Sequence, residues 1–136
     1  MDLDAARRFL RENHRSILAT TRSDGRPQLS PVVHGIDDHG RAIVSSRETA
    51  YKVRNLRRNP AASLCAFPDG FFGQWIQVDG QADIVSLPEA MDLLVDYYRQ
   101  LSGEHPDWAD YRAAMTRDQR VLLRITVTKA GPTVQG

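Results

Sequence analysis

The densest cluster of chemically useful side chains is Ser45-Ser46-Arg47-Glu48-Thr49-Ala50-Tyr51-Lys52-Val53-Arg54-Asn55. Hydroxyls, two arginines and one of the chain's two lysines sit where a strand pattern gives way to a helix pattern. Free backbone N–H groups at a helix start, with the helix dipole behind them, attract a phosphate. Lys52, in the first turn after a Thr49 cap, is within reach of such a ligand. The same residues also suit a capped surface helix with solvated cations, and composition alone weighs the two readings evenly. Other chemistries lack players. His14, His34, His39 and His105 are scattered, with no pair at helical metal-ligand spacing. The single cysteine, Cys65, lies in an apolar strand pattern, where a thiol behaves as a small hydrophobe. No G-x-S-x-G elbow, phosphate-loop motif or paired carboxylate constellation is present. An enzyme of this composition leaves the hard step to a bound cofactor.

The chain that must position these groups has 136 residues, enough for one domain but not two. Its 41% hydrophobic and 26% charged residues are ordinary for a globular protein and exclude disorder. Eighteen basic residues against seventeen acidic ones give a net charge of +1, no electrostatic case for nucleic acid or an anionic membrane. No apolar run is long enough to span a bilayer, and the opening Met1 to Asn13 lacks the apolar core of a signal peptide. A cytoplasmic protein is expected.

Periodicity sets out the elements. Leu3, Ala6, Phe9 and Leu10 recur at helical spacing, predicting a helix over 3–13 with Asp2 or Asp4 as its cap. Alternation then predicts a strand over 16–21, a tight turn at Asp24-Gly25 and a second strand over 28–36, at an edge or irregular near Pro31. A third strand over 41–46 completes a meander. A helix over 48–58 ends at Pro60, and a small-residue strand over 61–67, expected to be buried, follows. The cleanest alternation runs from Gln74 to Val85, with Ile76, Val78, Gly80, Ala82 and Ile84 on one face and Trp75 on the polar one. Ser86-Leu87-Pro88-Glu89 fits a capping box for a helix to about Leu101 that Gly103 stops. A short helix over 108–116 and a closing strand over 121–127 complete six strands. Without βαβ alternation, these argue a mainly β, α+β antiparallel barrel with peripheral helices.

Asp24-Gly25-Arg26-Pro27-Gln28-Leu29-Ser30-Pro31-Val32 resembles the first hairpin of the pyridoxamine 5′-phosphate oxidase-like split barrels. Lys52-Val53-Arg54-Asn55-Leu56-Arg57-Arg58-Asn59-Pro60 resembles that superfamily's strand-to-helix phosphate segment, and Val78-Asp79-Gly80-Gln81-Ala82 its long strand. Tyr98-Arg99, Gly103 to Trp108, Tyr111-Arg112 and Arg120-Val121-Leu122-Leu123 are similar to the actinobacterial branch that uses the deazaflavin coenzyme F420. The match is collinear over nearly the whole chain.

This resemblance implies a split β-barrel of the FMN-binding type that forms a homodimer with two cofactor sites between subunits. It implies an oxidoreductase that uses reduced F420 to transfer a hydride to an unsaturated small-molecule acceptor. The alternatives are an FMN-binding relative and a non-catalytic F420 carrier. On the same basis Lys52 anchors the cofactor phosphate, Ser45 and Ser46 match hydroxyl positions, and Ser30, Pro31, Val32 and His34 run beside the ring. Asn55 belongs to the motif, with bonding inside its helix the competing role. Trp75 lies near the groove, and Tyr51 is a further wall candidate. Close relatives carry an arginine two positions before the lysine. Here that position is Ala50, leaving Arg47 or Arg54 to supply the charge.

Overall fold

A computed structural model describes residues 1–133. It contains α1 (Leu3–Glu12), β1 (Arg15–Thr21), β2 (Pro27–Val33), β3 (Gly35–Ile36), β4 (Ala42–Arg47), α2 (Tyr51–Arg58), β5 (Ala61–Phe67), β6 (Ile76–Val85), α3 (Ala90–Ser102), α4 (Trp108–Arg117) and β7 (Arg120–Thr133). The strands form one antiparallel sheet in the order β2-β1-β5-β6-β7-β4-β3. β2 and β3 are consecutive in the chain yet stand at opposite ends of that order, so the sheet curls on itself as a split barrel. Among the described residues no helix is long and apolar enough to cross a membrane.

Seven strands replace the six expected because the segment 28–36 breaks at His34. Its first part pairs with β1 and its second with β4. The irregularity is therefore not at Pro31, which keeps register with Ile17 in an edge strand, where a residue without an N–H is tolerated. The β1–β2 turn is as read: Gly25 has φ +88, a value that a side chain would strain.

His34 holds the break in place and is fully buried. Its Nε2 lies 3.1 Å from the Leu10 carbonyl, which can only accept, so the proton sits on Nε2 and Nδ1 accepts from Ser16 Oγ at 2.8 Å. Its backbone N–H donates to the His14 carbonyl, and His14 Nδ1 donates to its carbonyl. The imidazole thus ties α1, β1 and the bend together. This corrects the expectation of a ring-side position: every polar atom of His34 is used inside the chain.

Two apolar layers result. Leu18, Leu64, Val78, Val44 and Leu123 fill the barrel with Phe9 and Leu10 of α1 and Val53 and Leu56 of α2. Outside β4 and β7, α3 and α4 bury Leu94, Val95 and Tyr111 against Ile43 and Leu122. The apolar stripe of α3 is thus core within one chain. Asp2 caps α1, accepting from the Ala5 N–H at 2.7 Å. The other two expected caps are absent. Ala50 precedes α2 without a side-chain cap, so that helix begins at Tyr51 rather than 48. α3 begins at Ala90, whose N–H bonds the Ser86 carbonyl instead of its hydroxyl. β5 is buried only at alternate positions, leaving Cys65 half-buried on the outer face. β7 runs six residues beyond the expected Val127. Its register against β6 shifts between Asp79 and Gly80, where a Cβ on Gly80 would overlap the Thr126 carbonyl.

Gly80→Ala is therefore expected to destabilise the fold by about 1–3 kcal/mol, measured by urea unfolding, because backbone rather than a flexible side chain must yield. Desolvation lowers the His34 pKa from 6.5 to about 4. The folded state resists protonation that the unfolded chain accepts, so stability present above pH 6.5 is lost as pH falls toward 4. The loss from this group is about 3 kcal/mol, and His34→Gln should flatten that part of the stability–pH curve.

Candidate functional site

Alternation along β4 decides which side chains can meet. Ala42, Val44 and Ser46 point into the barrel, whereas Ile43, Ser45 and Arg47 point outward. Ser45 and Ser46 therefore do not share a site. Ser46 is buried, its hydroxyl donating to the Arg47 carbonyl, and only Ser45 faces the outer corner. The strand opposite brings in a residue that sequence reasoning missed. Arg120 stands directly across from Arg47 in the β4–β7 ladder. Like charges facing each other this way destabilise a sheet unless an anion lies between or beside them.

Lys52, the second residue of α2, completes the corner. It is half-buried, and desolvation first, then the Arg120 charge, lowers its pKa. Neither cation has a carboxylate within ion-pair distance among the described residues. Arg120 Nε is buried with no hydrogen-bond partner. Arg47 is partly offset by Asp118 at 3.9 Å. The missing cap adds to the effect, since the first-turn N–H groups of α2 have no side-chain acceptor. Behind the corner, Tyr97 of α3 donates its hydroxyl to the Val33 carbonyl at 2.6 Å, and burial pushes its phenol pKa up against the opposing pull of the Ser45 backbone and Arg120. The split between β2 and β4 is thus filled by a neutral phenol.

The other expected positions are distributed differently. Arg54 lies over the ring of Tyr51, which is 73% exposed. The further cation whose charge acts on Lys52 is Arg120. Asn55 is buried and donates to Thr20 Oγ1 at 3.1 Å while accepting from Arg58, a clamp from α2 to β1 rather than a ligand contact. On β2, Pro31 is exposed, whereas Ser30 and Val32 turn to the other side, so their side chains do not share one face. Trp75 precedes β6 and lies in a recess with Cys65, Phe67, Phe71 and Phe72. Arg120 lies near the other end of β6, where Val85 pairs with Leu122. Ten extended residues separate the two ends by about 30 Å. The signal for Arg120 was the strand register, which periodicity alone does not fix.

A phosphate-bearing coenzyme fits these residues: an orphaned buried guanidinium nitrogen, an uncompensated ammonium and uncapped helix amides all call for one anion. Repulsion in the corner also makes an unusual signature testable. Lys52→Met and Arg120→Ala should leave the ligand-free melting temperature unchanged or raised, while weakening binding of a phosphate-bearing coenzyme about ten- to hundredfold. Differential scanning fluorimetry and calorimetric titration read the two effects separately.

Comparison with known proteins bears on the fold and the family. The chain has the fold of a conserved hypothetical protein, Rv2991, from Mycobacterium tuberculosis, with 25% identity and a TM-score of 0.77 over 96% of this chain and 82% of that one. It also matches an F420 reductase at 22% identity and a TM-score of 0.71 over 91% and 94% of the two chains. HutZ, a heme storage protein from Vibrio cholerae, matches at 19% identity and a TM-score of 0.72 over 98% and 96%. Proteins with such different ligands share this barrel, so the fold alone does not select one. The sequence profile described as pyridoxamine 5′-phosphate oxidase matches residues 3–133, and with nearly the whole chain inside that match, the protein belongs to the pyridoxamine 5′-phosphate oxidase family of split barrels.

Proposed function

We propose that the protein is an oxidoreductase that uses reduced coenzyme F420 to deliver a hydride to an unsaturated organic acceptor. The observation that carries this reading is the corner of Lys52 and Arg120, two cations without a carboxylate partner beside an uncapped helix start. Lys52 Nζ and Arg120 Nε hold the phosphate by charge-assisted hydrogen bonds, with the Ser45 hydroxyl and the first amides of α2 beside them. When bound, the reduced deazaflavin supplies the hydride. The chain's own task is to fix the tail and leave the ring one orientation, which makes the encounter with the acceptor effectively unimolecular. The corner's titratable groups are cations, the carboxylates of Asp118 and Glu48 paired with Arg47 and Arg57, and a buried phenol already committed to the Val33 carbonyl. The proton that completes acceptor reduction comes from solvent.

The working unit in this reading is a homodimer. The outer face of β2 exposes Leu29 at 62% and Val33 at 49%, with Pro31 between them. A second copy removes that surface from water. It also addresses the spacing along β6, because a tricycle tethered at one chain's Lys52 is too short to meet that chain's own Trp75. The recess of one copy and the corner of the other form one site.

FMN is the competing coenzyme, favoured by a protein of the same fold described as pyridoxamine 5′-phosphate oxidase-related and FMN-binding, and served by the same phosphate corner. Protein purified from a host lacking F420 and titrated with both coenzymes separates the readings. The expected result is colourless protein that binds F420 at one per chain and then reduces members of a panel of enones and quinones. A stoichiometric yellow flavin in the purified protein, with no F420 binding, assigns FMN instead. Tight F420 binding without turnover of any acceptor makes the protein a carrier.

A further inference from the structure

We propose that the recess between the end of β5 and the start of β6 is a binding slot for a flat, uncharged, conjugated molecule. The slot has a volume of about 410 Å³, within the range of small-molecule sites, and its lining is aromatic and thiol side chains with Gly73. Phe67 and Phe71 meet edge to face at 5.6 Å and 72°, and Phe71 and Phe72 at 5.0 Å and 80°. Near-perpendicular rings of this kind hold a planar guest by stacking on one wall and edge contact with the next.

Two features indicate that the slot is a built site. Phe72 is 87% exposed and Phe71 60%, so two adjacent phenylalanines are turned to water where polar residues would be more stable. Phe71 also adopts φ +70, a strained value for a bulky residue. Hydrogen bonds from its N–H to the Pro68 carbonyl and from the Phe72 N–H to the Gly70 carbonyl keep the turn in that shape. The charge of the guest follows from the surroundings. The flanking Arg15 and Asp69 neutralise each other at 3.0 Å, and burial pushes the Cys65 thiol pKa up, which keeps the floor uncharged. A cationic or anionic guest finds no counter-charge among the lining residues. Naming this guest the hydride acceptor rests on the oxidoreductase reading above; the binding of a flat neutral ring does not.

The test uses ligand-free protein and N-phenyl-1-naphthylamine, a neutral probe whose emission rises in apolar surroundings. Saturable binding at one probe per chain is expected, weakened at least tenfold by Phe72→Ser and by Cys65→Leu. The second variant fills the floor while keeping it apolar, and circular dichroism confirms that both variants fold. Non-saturating emission, or equal binding by wild type and both variants, overturns the proposal. Absent probe binding together with a Phe72→Ser variant that sediments as monomer instead of dimer overturns it too, and assigns the loop to the interface between copies. Probe binding that persists in a protein unable to oxidise reduced F420 leaves the slot standing and removes only the redox reading.

Discussion

The bend at His34 is the constraint on which the rest of the molecule depends. A strand running straight from 27 to 36 would pair with one neighbour along its whole length and leave the sheet open. The imidazole turns the chain by bonding α1 on one side and Ser16 on the other, and its backbone exchanges bonds with His14. The two halves then serve opposite ends of the sheet. α3 closes what the bend leaves open: Tyr97 occupies the split beside Val33, and the Gln100 amide both donates to and accepts from the backbone of Ile36. Buried polar groups are costly unless matched, and here each is matched across an element boundary. Polar matching sets the register of closure, while the apolar interior supplies the driving force.

That closure has an electrostatic consequence at the other end of β4. Fixing β4 against β7 places Arg47 and Arg120 face to face, and α2, entering directly after β4, brings Lys52 to the same corner. A sequence selected for stability alone would interleave acids here, as it does at Asp83 with Arg124 and Asp37 with Arg41. Among the described residues Asp118 pairs with Arg47, while Glu48, which shares a recess with Arg120, gives its carboxylate to Arg57. Unbalanced charge at a fixed position, beside helix amides left without a cap, is local destabilisation of the kind associated with binding sites.

Much of this was legible in the residues. Gly25 marked its hairpin, Pro60 ended α2, Gly103 ended α3, and the alternation from Ile76 to Ile84 named the inner face of β6 correctly. The turn from β4 into α2 was legible too, because the strand pattern ends where Lys52, one of two lysines in an arginine-rich chain, begins a helix pattern. What escaped was long-range. Arg120 is remote in sequence from Lys52 and reaches it only through strand register, which depends on closure of the barrel. The same cause misplaced His34, whose partners Leu10 and Ser16 lie on other elements. Local capping rules failed at Thr49 and Ser86 because tertiary packing, not side-chain capping, fixes where α2 and α3 begin. Ser45 and Ser46 were read as a pair by adjacency, although strand geometry sends neighbours to opposite faces.

A crystal structure of the protein grown with coenzyme F420 tests the central claim most directly. The expected result is phosphate oxygens within hydrogen-bonding distance of both Lys52 Nζ and the Arg120 guanidinium, with the Ser45 hydroxyl beside them. A coenzyme whose phosphate lies elsewhere, with that corner holding only water or the chain's own side chains, would contradict it.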